Sequence, residues 1–525
     1  MTSSDVAKWD VIVIGGGHNG LVAAAALGKA GRKVLVLEAS DTVGGAAGTH
    51  EFAPGFRVSL AHVLNRLHPD VVKALDLGRH GLETVDRGGA PSVALVEQGE
   101  PLVLHGAYGE RLEGASAAEA DAWRGLRATL FRQAAILKPF LARKPPSPGS
   151  MSLGEMGALG MAALSLRRMG KEDMRDFLRM VLMNVTDVLD EHLTDQRLRG
   201  MLAFDAVLGS HLGPRSPTSL LGLYWRLAGE AGGVPGAQIV PKGGMGAVVA
   251  AIAAAAKTAG VTVRAGAAVE RILIEKGRAT GVTLAGGETL RARVVVSAIN
   301  PRTTFIDLVG ARALDTGFMR KVKNIRIKGD VAKLHLALER VPDIAGLDDA
   351  AKRGRLVIAP SDDHVERAFN PAKYGGFSPE PVMEVTLPSL TDASLAPAGA
   401  CVLSATIQYA PHELKGGWAK GKPGLFQAVI AQLEKYMPGV AKTIRHAELL
   451  TPADIEARWK MQGGHWHHGE LQADQMLMSR PVTGWSGYDT PIDGLWLAGA
   501  GSHPGGGVSG APGLNAARAV MAGRG

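Results

Sequence analysis

The chain has 525 residues, of which 46% are hydrophobic and 21% charged, so it exceeds what one hydrophobic core organises and is expected to form two or more lobes. Its net charge of +8, from 58 Lys and Arg against 50 Asp and Glu, is scattered along the chain, which argues against nucleic acid as a partner and leaves only weak attraction to anionic lipid. Glycine, at 69 residues, is about twice the usual share and gathers in short clusters without a collagen period. From the amino end, "MTSSDVAKWD" has neither a basic nor an apolar signal region, so no secretory signal is expected. Asp10 to Ile14 reads as a buried parallel strand, followed by a turn with Gly15, Gly17 and Gly20, a helix over Leu21 to Ala30, a stop at Gly31, and a second strand, Val34 to Leu37, ending in Glu38. This is the spacing of a dinucleotide site. Gly15 makes the tight turn, Gly17 admits the pyrophosphate and Gly20 lets helix and strand approach, while Glu38 accepts a ribose hydroxyl and disfavours NADP.

A second glycine pair, Gly44 and Gly45, follows where a longer dinucleotide would run. Residues 111–237 contain several helical patterns, a proline-rich break and a methionine-rich run; Met161, Met169, Met180 and Met183 fit either core packing or an adaptable tunnel or membrane-docking face. Gly243, Gly244 and Gly246 open an Ala-rich helix without a convincing preceding strand, and are read as packing against the dinucleotide domain. Strands are expected at Val269 to Ile274, Ala279 to Leu284 and Val294 to Ala298, returning to the first sheet. Three further runs, "VAKLHLALE", "VMEVTLPSL" and "CVLSATIQYA", alternate like half-buried strands. The last contains Cys401, the only cysteine, which excludes an intramolecular disulfide and a thiolate zinc site and favours a reducing compartment. His465, His467 and His468 lack an acidic partner at zincin spacing, so no metal is expected. Near the end, "GAGSHPGGGVSGAPG" crowds glycine around His503 between an apolar strand, Gly494 to Ala498, and a helix.

Taken together, "GGGHNGLVAAAALGKAG", "VGGAAGTHEFAPGF", "FDAVLGSHLGPRSPTS", "VPKGGMGAVVAAI", "GGHWHHGELQADQM" and "LWLAGAGSHPGGGVSGAPGLNAARAV" make the chain resemble the phytoene-desaturase-like FAD flavoproteins, within the branch called pyridine nucleotide-disulfide oxidoreductase domain-containing proteins. The resemblance implies an α/β fold. A split Rossmann-type FAD domain of glutathione-reductase-like or amine-oxidase-like form would occupy 1–110, 238–310 and 480–525. An inserted α+β substrate domain would be helical over 111–237 and an antiparallel sheet over 311–479, around a mostly apolar cavity. FAD would be held by Gly15, Gly17, His18, Asn19, Gly20, Glu38, Ala39, Gly44, Gly45, Ala46, Val269, Gly499, Ala500, Gly505, Gly506, Gly507 and Val508. The terminal helix would aim its N–H groups at the flavin N1/C2=O edge.

His503, in the family's His-Pro-Gly, together with His468 and Glu470, in its His-Gly-Glu, are the catalytic candidates, with His503 equally read as a turn brace and His62 as a weaker candidate. The activity implied is hydride transfer to flavin N5 from a lipophilic or aromatic small molecule, with oxygen, a quinone or another electron acceptor. Alternatives are reduced-flavin polyene isomerisation or saturation, amine or alcohol oxidation, and a flavin-bound interaction or assembly role. Ala46 and Ala47 stand where amine oxidases carry Arg after the glycine pair, which lowers the amine reading, and Cys401 without a partner excludes disulfide reduction. The expected location is cytoplasmic or peripheral to a membrane.

Overall fold

The computed structural model describes residues 8–62, 64, 66–84, 89–106, 108–145 and 153–523. Two sheets organise them. In the first, Thr262–Arg264, Val34–Leu37, Trp9–Ile14 and Thr289–Ser297 lie side by side in parallel, and Arg278–Leu284 and Val269–Glu275 extend the sheet as an antiparallel meander. The long strand Thr289–Ser297 serves two neighbours: its first half pairs with Gly281 to Thr283, and Val295 to Ser297 pair in parallel with Leu495 to Leu497. The chain's carboxyl end thus returns to the sheet its amino end began. β-Branched runs such as Val11–Ile14 and Val294–Val296 suit this position because the parallel strands are buried on both faces, by helices on one and by the meander with the Thr303–Val309 and Thr316–Lys323 helices on the other.

Helix His18–Lys29 begins at once after Gly17, earlier than the pattern of apolar residues suggests, because Gly17 itself acts as the N-cap. It packs between Gly244–Thr258 and the terminal helix Ala511–Ala522, and the Gly246 N–H donates to Thr49 Oγ1 at 3.0 Å.

The second sheet has eight strands among the described residues, in the order Ile444–Leu450, Val331–Leu338, Cys401–Gln408, Met383–Thr386, Arg355–Ile358, Ser92–Ala94, Leu102–Leu104 and Leu112–Glu113. Only the join between Arg355–Ile358 and Ser92–Ala94 is parallel. Ser92–Ala94 and Leu102–Leu104 lie in the segment assigned from sequence to the FAD domain, so the chain crosses to the second sheet before Ser92 rather than near 110; with Leu112–Glu113 these short runs complete the sheet edge.

Alternation decides which side chains face where. Leu334, Leu336, Val385, Leu403 and Ile407 pack under helix Trp418–Tyr436. Their neighbours Lys333, His335, Glu384, Thr386, Ser404 and Thr406 take the opposite face by the period of two. Strand Val331–Leu338 is nevertheless buried at all of its positions, so this polar face is covered and not solvated.

Helices Ala117–Ala134, Val185–His192, Gln196–Val207 and Leu220–Leu227 share a core with Ala94, Leu102 and Val357. Met180 belongs to that core and Met183 packs against it, whereas Met156, Leu164, Leu178 and Leu182 are exposed; the Met161 side chain lies outside the described residues. None of Met169, Met180 and Met183 reaches the central cavity, which removes them from a substrate tunnel. Among the described residues no helix is long and apolar enough to cross a membrane.

Candidate functional site

One cavity of about 610 Å³ runs from the glycine turn of the first sheet to the polar face of the second. At its first end the carboxylate of Glu38, 9% exposed, accepts the Gly16 N–H at 2.7 Å and the Ser40 N–H at 2.9 Å. The acid is thereby held at the mouth of the turn with lone pairs to spare for ribose hydroxyls. A Cβ on Gly17 would meet nothing within 4 Å, so the backbone there fronts open groove, while a Cβ on Gly20 would stand 2.1 Å from the Gly15 oxygen. The second glycine pair is tied to the first by Gly44 N–H to Gly16 O at 2.9 Å. His18 Nε2 and Asn19 Oδ1 are enclosed beside the turn without a partner among the described residues. An open glycine cradle, a helix N-terminus and orphaned polar atoms fit a bound pyrophosphate and ribose.

The carboxyl-terminal helix reaches the same groove by close backbone packing: a Cβ on Gly513 would lie 2.1 Å from the Asn19 oxygen. Gly513→Ala is therefore expected to destabilise the FAD-loaded protein by roughly 1–3 kcal/mol through overpacking. A thermal melt at saturating FAD checks it, and an unchanged melt would mean the two helices have slack.

Thirteen of the seventeen residues assigned to FAD line the cavity: Gly15, Gly17, His18, Asn19, Glu38, Ala39, Gly44, Gly45, Ala46, Val269, Ala500, Gly507 and Val508. Gly20 serves helix packing instead. Gly499 packs on the Ala298 carbonyl, Gly505 faces Leu471, and Gly506 sits against His467 and opens on an adjoining smaller pocket.

The catalytic candidates divide. His468 lines the cavity, as do His62 and His467. Burial draws the His468 pKa down to about 3, and burial also holds those of His62 and His467 well below the ordinary imidazole value, so all three are neutral near pH 7. The loop of His467 and His468 is pinned by the buried Arg480, which donates to the carbonyls of Glu470 at 3.0 Å and Ala500 at 2.8 Å and also to that of His467.

His503 is not in the cavity. Its buried ring has Nε2 at 2.5 Å from the Phe140 carbonyl, and its own carbonyl accepts the Tyr488 hydroxyl at 3.0 Å. This is the brace of the turn. Glu470 is also withdrawn, because its two oxygens are taken by the His211 N–H at 3.1 Å and the Lys328 N–H at 3.2 Å. The pattern His-Gly-Glu contributes one cavity residue and one structural anchor.

Sequence reasoning missed the charged floor. Lys333 is 4% exposed, and its Nζ donates to Thr406 Oγ1 at 2.8 Å; burial pulls its pKa down to about 8, against the raising effect of Glu384. Asp205, Glu384, Arg66 and Arg226 line the same space, and Trp225, Trp459, Trp466, Leu208 and Met461 supply its apolar wall. The cavity is mostly apolar, as expected, but one sheet face adds the charges of Lys333 and Glu384 to it.

A groove shaped for an extended dinucleotide, continuous with a second chamber, is the arrangement of an FAD-binding oxidoreductase. The chain belongs to the family of flavin containing amine oxidoreductases, whose profile matches residues 20–521. It is 32% identical to pyridine nucleotide-disulfide oxidoreductase domain-containing protein 2 of Mus musculus, over 98% of this chain and 93% of that one. It is 27% identical to phytoene dehydrogenase of Streptomyces griseus, over 95% and 92% of the two chains. Among solved structures, cyclohexylamine oxidase from Brevibacterium oxydans shares its fold with a TM-score of 0.59 at 18% identity, over 98% of both chains. FAD is accordingly the cofactor, and the resemblance read from the motifs holds.

Proposed function

We propose that this chain is an FAD-dependent dehydrogenase of the phytoene-desaturase-like group, acting on a small molecule with an aromatic or aliphatic body and a polar substituent. The observation that carries the reading is the single cavity joining the Glu38 groove to the Lys333 floor. Bound FAD supplies a two-electron acceptor that takes hydride at N5. The chain's own residues do the rest. The tryptophans and Leu208 enclose the substrate body and exclude water. Lys333, partly neutral near pH 8, takes up the departing proton at Nζ, and Thr406 holds that amine in place. His468, neutral and pinned through Arg480, lines the flavin end as a hydrogen-bonding contact. Electrons leave to oxygen, a quinone or another acceptor.

The test is anaerobic addition of candidate acids, alcohols and amines to FAD-loaded protein. Bleaching of the flavin absorbance by one class supports dehydrogenation; protein that takes up no FAD overturns it. With a substrate in hand, turnover is expected to rise with pH through about 8 as Lys333 loses its proton, because the neutral amine is the acceptor. Lys333→Met should abolish that limb while leaving the flavin spectrum intact, and a wild-type profile without the limb removes Lys333 from proton transfer.

A further inference from the structure

Charge on the chamber floor is unevenly matched. Asp205 is bound by Arg355 through both of its oxygens and accepts the Tyr108 hydroxyl at 2.7 Å, and Glu384 reaches the same Arg355 guanidinium at 3.1 Å. Arg226 stands farther off. Its Nη2 is 3.6 Å from Asp205 and 3.9 Å from Glu384, and its Nε has no hydrogen-bond partner among the described residues. Arg66, on the segment leading into helix Pro69–Leu75, has Nε and Nη1 enclosed in the same condition.

Two carboxylates therefore serve three guanidiniums, and the donors left over belong to the two arginines that line the cavity. Enclosed N–H donors and like charges held together are costly unless an anion meets them. Burial, and then the charge of Arg226, already pull the Arg66 pKa down to about 9. A planar guanidinium fork matches the paired oxygens of a carboxylate or phosphate.

We propose that Arg66 and Arg226 jointly bind an oxyanion head group of the substrate, a carboxylate or a phosphate ester, with the apolar body against Trp225, Leu208 and Trp466. The inference rests on the dehydrogenase reading and narrows its substrate class. Position supports it: a Cβ on Gly507, which lines the FAD end of the cavity, would lie 3.2 Å from Arg66 Cδ, so the anion site adjoins the flavin-binding turn. A cationic amine would meet the same two arginines as like charges, and a hydrocarbon would leave their donors unmet.

The experiment is calorimetric titration of FAD-loaded protein with four probes of similar size: phenylacetate, phenyl phosphate, 2-phenylethanol and 2-phenylethylamine. At least one anion is expected to bind, and the alcohol and amine are not; which anion binds tells carboxylate from phosphate. Arg226→Met and Arg66→Met should each weaken that binding roughly 30-fold or more, since each removes one partner of a buried charged contact. Arg226→Lys, which keeps the charge and loses the fork, should retain part of it. Flavin absorbance and thermal melting establish that each variant is folded and loaded, and the two methionine variants test the site independently. FAD-loaded protein indifferent to both anions, anion affinity unchanged in Arg226→Met, or an amine binding as tightly as the anions overturns the inference alone. Protein that takes up no FAD overturns the dehydrogenase reading, and the inference falls with it.

Discussion

Glu38→Ala is expected to weaken FAD binding by roughly two to three powers of ten, about 3–4 kcal/mol. The carboxylate does two jobs. It takes the Gly16 N–H at 2.7 Å and the Ser40 N–H at 2.9 Å, which fixes the glycine turn, and it presents a charged acceptor to the ribose. Alanine removes both, leaving the Gly16 N–H without its acceptor in a buried turn. Glu38→Gln keeps the shape and one acceptor oxygen and should cost roughly tenfold, because the charge assistance goes while the geometry stays. Fluorescence titration of apoprotein with FAD measures both. Ligand binding stabilises the folded state by mass action, so the alanine variant should also lose most of the FAD-dependent rise in melting temperature. An alanine variant with wild-type affinity would mean that the ribose is not read at Glu38.

The cofactor half of the site is legible in sequence because its chemistry is local. Gly15, Gly17, Gly20 and Glu38 fall within one strand-helix-strand unit, and each residue type follows from what phosphate and ribose require. The chamber is different. Arg66, Arg226, Lys333 and Glu384 come from four distant segments, and the sheet that brings two of them together is set by long-range pairing: Glu384 and Lys333 are both register partners of Thr406. One signal was available. "VAKLHLALE", "VMEVTLPSL" and "CVLSATIQYA" each place polar residues at alternate positions, and a sheet expected to floor the substrate side turns those residues into chamber lining, not solvent face. His503 shows a different limit. A motif histidine in a flavin-side turn reads equally as chemistry or as a brace, and what distinguishes the two here, its contact with the Phe140 carbonyl, comes from a segment hundreds of residues away. Short strands such as Ser92–Ala94 and Leu112–Glu113 were not expected because two or three residues carry no measurable period, and they exist only as the edge of a sheet built by others.

The largest expected loss of stability is Arg355→Met, at about 3–5 kcal/mol. Arg355 and Asp205 are both 0% exposed at their side chains, and the pair joins strand Arg355–Ile358 to helix Gln196–Val207, so it ties the second sheet to the helical layer. Methionine approximates the volume and removes the charge. Asp205 would keep only the Tyr108 hydroxyl at 2.7 Å and a distant Arg226 at 3.6 Å, and Ser92 would lose the donors that now reach its hydroxyl at 3.1 and 3.3 Å. Burial by itself would raise the Asp205 pKa, but Arg226 and Arg355 outweigh it and hold it below the ordinary value of 3.8. The sign of the pH dependence follows: a lowered carboxyl contributes stability that is present above 3.8 and lost as the pH falls through its folded value. Arg355→Met should therefore melt roughly 3–5 °C lower than wild type near neutral pH at saturating FAD, with the gap shrinking towards strongly acidic pH. Adding Asp205→Asn to Arg355→Met should recover part of the loss, since it removes the charge left without its partner. If the double variant is as unstable as the sum of the two single variants, the pair is uncoupled, and the join between sheet and helices must rest on the apolar contacts around it.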